Sequence, residues 1–423
     1  MLDEHRPAPE ATSSRSALQL SWLQPPGLLA LSFVNFALRF VTLGIYSFWG
    51  KTEVRRRIWS AVRIDGEPLQ YTGTGKELFL GFLVIFGLVL LPISLASFAI
   101  AIYFGPESAA NSVFALFLYP LIFILIGIGT YRAQRYRLTR TNWRGIRGGL
   151  VGSDLNYAWT YFWSALLVPM TLGWITPWRT TELQKIITRD MRFGDRPFTF
   201  TAKPGPLYSS FAVLWFASLF IIIAAFSVIG VNINFEMFQP DAIEQDATDP
   251  TEAIKMIAIV YAVLTVAFFC YYLLSAWYRS KAINHFATHT HFEGATFRAT
   301  VTGLGLVRVA IGNFLINLAG WTVTLMVFLA VLAPVFFLTQ GTAVLPSATA
   351  GEGVKFAAGV LGALVLVAAS GLFAPITQAR NARYLIQNLS IDGTVPLGDI
   401  AQGEAHKVSR GEGLAQAFDI DGF

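Results

Sequence analysis

Apolar residues along this chain fall in long unbroken blocks, not at the spacing of a soluble amphipathic helix or a half-buried strand. The blocks cover 27–48, 78–104, 113–130, 155–177, 207–231, 256–277, 305–338 and 355–375. About 20 apolar residues cross a hydrocarbon core about 30 Å thick. The pattern therefore predicts an all-α polytopic membrane protein. A transmembrane barrel is disfavoured, because its strands alternate apolar with polar positions and these runs are continuous. The block 305–338 is too long for one ordinary span and predicts either one of two crossings within 305–375 or a tight hairpin of its own.

The connections between blocks differ sharply in charge. Loop 49–77 carries Lys51, Arg55, Arg56, Arg57, Arg63 and Lys76. Loop 131–154 carries Arg132, Arg135, Arg137, Arg140, Arg144 and Arg147, and loop 178–206 is equally basic. Segment 232–254 has no Lys or Arg and several carboxylates, Glu236 and Asp241 among them. The positive-inside rule places the three basic loops in the cytoplasm and the other connections outside. Block 155–177 then has a cytoplasmic loop at each end. The reading that reconciles them is a re-entrant or interfacial segment, with Trp159, Tyr161, Trp163, Trp174 and Trp178 as interfacial aromatics and Gly173 and Pro177 breaking the helix.

Internal similarity extends that reading. Residues 42–72 align without gaps on 171–201, sharing Thr42/Thr171, Leu43/Leu172, Gly44/Gly173, Trp49/Trp178, Glu53/Glu182 and Pro68/Pro197. A weaker third copy begins near Gly371 and repeats Ile-Asp-Gly at 391–393. Block 27–48 is thus the sister of 155–177 and is also expected not to cross, which leaves six crossings and both termini cytoplasmic. The chain divides into a disordered cytoplasmic tail (1–26), unit 1 (27–154), unit 2 (155–302), a partial third unit with extra apolar sequence (303–400) and a second tail (401–423). Each unit combines a transmembrane helix pair, a re-entrant or interfacial segment and short cytoplasmic β-prone stretches.

Composition fits this class. The chain is 54% hydrophobic and 13% charged, where soluble domains carry about 25% charged residues. The net charge of +5 points to anionic lipid as partner and not to nucleic acid, since no RNA- or DNA-binding motif accompanies it. The single cysteine, Cys270, excludes an intramolecular disulfide.

The stretches TLGIYSFWGKTEVRRR (42–57), RIDGEPLQYTGTGKELFLGF (63–82) and YRLTRTNWRGIRGGLVGS (136–153) resemble the YjgN-like family of bacterial inner-membrane proteins, built around a domain of unknown function. The resemblance runs from about Phe33 to Asp392 and fades in 303–370. The Pro-Trp it implies at 375–376 is Pro375-Ile376 here. It implies an inner-membrane location and carries no reaction.

Candidate chemistry is sparse. Gly73, Gly75 and Lys76 suggest a phosphate loop, but the spacing differs from G-x-x-x-x-G-K-[ST] and Glu77 stands where a hydroxyl is needed. Thr74-Gly75-Lys76-Glu77 instead predicts a capping box, with the Thr74 hydroxyl on the Glu77 N–H and the Glu77 carboxylate on the Thr74 N–H. Lys76, Arg55, Arg56, Arg57, Arg132 and Arg135 are candidate lipid or anion contacts. Arg39 and Arg308 are candidate functional charges inside apolar blocks, with Asn35, Asn313 and Asn317 ambiguous. His285, His289 and His291 could serve zinc by spacing, yet no H-E-x-x-H is present. No cofactor is expected. No acidic residue lies within an apolar block, which weakens a proton-coupled transporter, and no hydrolase constellation assembles. The sequence favours a lipid- or envelope-associated membrane module that is not an enzyme. A small-solute transporter or channel and a lipid-modifying enzyme are the alternatives.

Overall fold

The structure, a computed structural model, describes residues 18–232, 250–340 and 371–403, with a few helical positions between 359 and 369. Among the described residues, five helices are long and apolar enough to cross a membrane: Gly75–Phe104, Ala109–Thr139, Gly205–Val231, Ile254–Thr288 and Gly303–Ala330. At 1.5 Å per residue they run roughly 40–52 Å, longer than the hydrocarbon core. Their ends therefore project, and the polar clusters described below sit on those ends. Large apolar side chains such as Phe98, Phe117, Phe220 and Phe268 point outward along the spans, as lipid permits.

The first span is made of α3 (Gly75–Ile85) and α4 (Leu91–Phe104), joined by a π turn over Phe86–Leu90. Pro92 explains the turn. It lacks the N–H that would bond one turn back, and the Leu91 N–H reaches the Phe86 carbonyl instead. The other spans belong to α5 (Ala109–Thr139), α8 (Gly205–Asn232), α9 (Pro250–Thr288) and α10 (Gly303–Gln340). Helix α10 is unbroken to residue 340, so the hairpin expected as one option within 305–338 is overturned. Block 355–375 lies largely outside the described residues.

Two apolar helices are short. Helix α1 (Leu28–Val41) has 14 residues and α6 (Asp154–Met170) has 17, about 21 and 26 Å at helical rise. Each ends at Thr-Leu-Gly and is followed by a polar helix, α2 (Ser47–Ala61) or α7 (Thr176–Asp190). The two breaks are alike atom by atom. Leu43 and Gly44 have φ of 54° and 88°, and Leu172 and Gly173 have 48° and 84°. The Thr42 hydroxyl donates to Leu38 O (2.6 Å) and accepts from Tyr46 N (2.9 Å). Thr171 does the same with Leu167 O (2.8 Å) and Ile175 N (3.3 Å). A left-handed leucine costs about 1–2 kcal/mol, and the threonine side chain bridges the break to hold it. Thr171→Val keeps the shape and removes both bonds, so it should lower stability by about 1 kcal/mol, read as a depressed thermal midpoint in detergent. Near α11 (Ala374–Gln387), Gly371 has φ 71°, and the bonds Leu372 N to Ala369 O and Ala374 N to Gly371 O repeat the backbone pattern of the first two breaks.

The expectation of an all-α chain needs correction. The β-prone stretches pair into two antiparallel sheets. One contains β1 (Leu20–Trp22), β2 (Val62–Ile64) and β3 (Glu67–Pro68). The other has eight strands in chain order: β4 (Gln70–Tyr71), β5 (Thr141–Trp143), β6 (Ile146–Leu150), β7 (Met191–Phe193), β8 (Arg196–Phe200), β9 (Thr290–Phe292), β10 (Ala295–Ala299) and β11 (Leu389–Gly393). Five of these nine pairings join segments far apart in sequence, such as Gly148↔Phe193 and Phe198↔Phe292. Two-residue turns at Asp65-Gly66 and Arg144-Gly145 take φ above zero at both positions, the conformation that suits the strand twist. Trp143, Phe193, Phe292, Phe198 and Phe297 form a ladder of rings with centroids 4.6–6.1 Å apart. Such cross-strand aromatic pairs stabilise short strands that would be marginal alone. Because β1 is a strand and its Trp22 packs on the Leu28–Val54–Ile58–Ala379 core, the expected tail 1–26 is ordered from Leu20 to Trp22. Residues 1–17 and 404–423 lie outside the described residues.

All these strands lie at one end of the spans. There the segment after β11 crosses the hairpin turns. Asp195 N donates to Ala401 O (3.1 Å), Ala401 N to the Asp195 carboxylate (3.2 Å), and Arg147 N to Gln402 Oε1 (3.0 Å).

Candidate anion-binding site

Helix α2 carries Ser47, Lys51 and Arg55 four residues apart, a spacing that sets them on one face. The neighbouring Val54 and Ile58 bury against Leu28, Leu31 and Ala379. That packing turns the polar stripe toward the last turn of α1 and the first turn of α11. The result is a cavity of about 230 Å³ whose lining includes Arg39, Lys51, Arg55, Ser47 and Gln378. No acidic side chain is among its described lining residues. Arg39 Nη1 lies 4.0 Å from where a Cβ on Gly371 would stand. Arg55 is 8% exposed. Asn35, one turn before Arg39, is buried with both amide atoms lacking a hydrogen-bond partner. Three cations held by two helices around one cavity, Arg39 on α1 and Lys51 and Arg55 on α2, favour an anion electrostatically, and two of them are guanidinium forks suited to phosphate oxygens.

The structure separates the other sequence candidates. Arg56 is exposed and pairs with Glu53 (3.0 Å). Arg57 donates to the carbonyls of Pro26 (3.2 Å) and Gly27 (3.0 Å), tying the entry of α1 to α2. Arg132 pairs with Asp154 (2.6 Å). Arg135 is buried, donates to the carbonyls of Leu150 and Gly152, and lies over the Tyr131 ring at 5.0 Å. It clamps the β6–α6 connection. Lys76 is exposed on the first turn of α3, and Arg308 is exposed on the second turn of α10. Only Arg39 and Arg55 of the candidates meet. Lys51 completes the set and was legible only as one member of a basic loop. Its signal was the four-residue stripe with Ser47 and Arg55.

The glycines of YTGTGKE serve packing. A Cβ on Gly75 would lie 2.6 Å from Trp49 Cγ, and one on Gly73 would lie 2.6 Å from the Tyr71 hydroxyl. The capping box forms by half. Thr74 accepts the Glu77 N–H at 3.4 Å, but the Glu77 carboxylate accepts from the Tyr136 hydroxyl (2.7 Å) and from Arg140 (2.8 Å) in place of the Thr74 N–H. A cation and a phenol at the end of α5 offer it stronger partners than a backbone amide. The histidine rings are engaged with backbone and hydroxyl groups: His285 with Lys203 O (2.9 Å), His289 with His285 O (2.8 Å) and His291 with Thr296 (2.9 Å). Among the described residues no three His, Cys, Asp or Glu side chains converge as a metal requires.

The family described as bacterial protein of unknown function, DUF898, matches residues 27–417. The chain belongs to that family. The DUF898 match spans both short helices, the basic cavity and the whole eight-stranded sheet, and it agrees with the YjgN-like resemblance of residues 42–83 and 131–153. One similar curated protein is the Inner membrane protein YjgN of Salmonella typhimurium, 26% identical over 145 residues. That match covers 34% of this DUF898 chain and 34% of the relative, so the chain spans about a third of that relative's length. No solved structure matches it.

Proposed function

We propose that this DUF898 chain is a multi-pass inner-membrane module that holds anionic lipid at its cytoplasmic face and catalyses no reaction. The observation that carries the proposal is the convergence of Arg39, Lys51 and Arg55 on one cavity where α1 ends. The inner membrane is the location in the name of the similar YjgN protein. The cytoplasmic assignment rests on the basic loops, which share the sheet end of the spans.

The reading includes re-entrant segments. Strands β6 and β7 flank α6 and α7 and pair directly, Gly148 with Phe193. Hydrogen-bonded strands share one side of a membrane, so α6 enters and leaves on that side. Strands β1 and β2 flank α1 in the same way, Leu20 with Ile64. The matching Thr-Leu-Gly breaks support units that repeat, each with a short apolar helix, a polar helix, a hairpin and spans.

Binding of the full chain to vesicles tests the proposal. Wild type should prefer phosphatidylglycerol over phosphatidylcholine vesicles by tenfold or more. Lys51→Gln should cut that preference severalfold, and Arg56→Gln, whose partner is the exposed Glu53, should leave it unchanged. Equal binding to both vesicles, or a Lys51→Gln protein with the full preference, would refute the proposal.

A further inference from the structure

A second cavity, lined by both apolar and cationic side chains, lies on the opposite flank of α11. It has a volume of about 370 Å³, and its lining includes Trp22, Ile316, Ile376, Arg380 and Arg383. We propose that this groove binds one net-anionic phospholipid, with the phosphate on Arg380 and Arg383 and an acyl chain over Trp22, Ile316 and Ile376. The inference rests on the lipid reading above and adds a second, separate site to it.

The groove is built from complementary halves. Ile376, Arg380 and Arg383 follow one another at helical spacing on α11, so apolar and cationic groups share one stripe. Arg380 is held in place. Its Nε donates to Asn313 Oδ1 (3.2 Å), while Asn313 Nδ2 donates to Asn381 Oδ1 (2.7 Å). This network uses Asn313, whose role the sequence left ambiguous. Gly312 makes the arrangement fit, because a Cβ there would overlap Arg380 Nη2. The Nη2 end of the guanidinium thus reaches α10 at a place where a Cβ would stand. Neither Arg380 nor Arg383 pairs with a carboxylate among the described residues. Two guanidiniums one turn apart repel each other unless an anion lies between them, and a phosphate accepts from both forks. The apolar members then decide the class of ligand. A free phosphate has no use for Trp22, Ile316 and Ile376, whereas a lipid tail does. The depth is appropriate as well. Asn313 and Asn317 are the last amides before α10 becomes apolar from Leu318 onward, so Arg380 stands at the boundary where headgroups lie.

Native mass spectrometry of the delipidated full chain, titrated with phosphatidylglycerol, counts the bound lipids. Wild type should retain two. Gly312→Ala keeps every charge, adds helix propensity and displaces only Arg380, and it should retain one. Arg383→Gln should also retain one. Lys51→Gln should lose the lipid of the α1–α2 cavity and keep the one in this groove, so the two sites report separately. Phosphatidylcholine should not fill the groove, and glycerol 3-phosphate should not displace the lipid from it. Two lipids retained by both Gly312→Ala and Arg383→Gln would overturn the proposal. So would displacement by glycerol 3-phosphate as effective as by lipid, which would mark a plain phosphate site.

Discussion

Asp190→Ala is expected to lower stability by about 2–4 kcal/mol, among the largest effects of any single substitution at the sheet end. Asp190 ends α7, is 7% exposed, and accepts a hydrogen bond from the Tyr131 hydroxyl at 2.8 Å. Tyr131, on α5, is fully buried against Leu150, Tyr157, Leu183 and Ile186. The one bond therefore joins a span to the helix that follows a short apolar segment. Removing the carboxylate strands a buried hydroxyl, which costs about 1–3 kcal/mol, and the missing atoms leave a void that adds to it. It also removes a negative charge beside Tyr131, over whose ring the Arg135 guanidinium lies. Asp190→Asn keeps an acceptor oxygen of the same shape and should lose less than half as much. Thermal unfolding of both variants in detergent measures the difference. An alanine variant as stable as wild type would mean that α5 and α7 are joined by apolar contact alone.

Gly75→Val is expected to cost about 3 kcal/mol by overpacking. The added Cβ would lie 2.6 Å from Trp49 Cγ and 2.7 Å from Trp49 Cα. The ring can swing away, but the backbone of α2 cannot, so α2 and α3 must part. That separation disturbs the packing of Phe79 on Phe48 and Trp49, at centroid distances of 5.5 and 5.7 Å, and the buried cluster of Tyr71, Leu78 and Tyr136. Adding Trp49→Ala should restore only part of the loss, because the clash with the α2 backbone remains. A phosphate-binding loop would behave differently: Gly75→Val would leave unfolding unchanged and abolish nucleotide binding. Unfolding midpoints of the single and double variants separate the two possibilities.

The sequence made local features readable. A span is a composition, a Thr-Leu-Gly break is three residues, and the Thr74 cap acts on the next turn, so each could be read without a partner. What stayed hidden depends on partners far away in the chain. Glu77 meets Tyr136 and Arg140, 59 and 63 residues later, and no local rule competes with the nearer Thr74 N–H. Strands of two to five residues gain their stability from neighbours that are remote in sequence, so each looked like an isolated β-prone stretch. The basic cavity shows both sides. Its charges were visible, but of the run Arg55-Arg56-Arg57 only Arg55 faces it, because the helix turns each successive residue by about 100°. Trp22 was hidden because three residues of strand inside a polar tail carry no periodicity.

The central claim is that α6 enters and leaves the membrane on the side that holds the sheet. Cysteine accessibility tests it directly. In a Cys270→Ser background, single cysteines replace the exposed Arg144 in the β5–β6 turn and the exposed Thr199 in β8, on the two sides of α6. A third replaces Glu107, between the first two spans, as the control for the opposite face. In intact cells a membrane-impermeant maleimide should label position 107 and neither 144 nor 199, and both of these should label once the membrane is opened. Labelling of only one of positions 144 and 199 in intact cells would show that α6 crosses, and the paired sheet could not then exist as described.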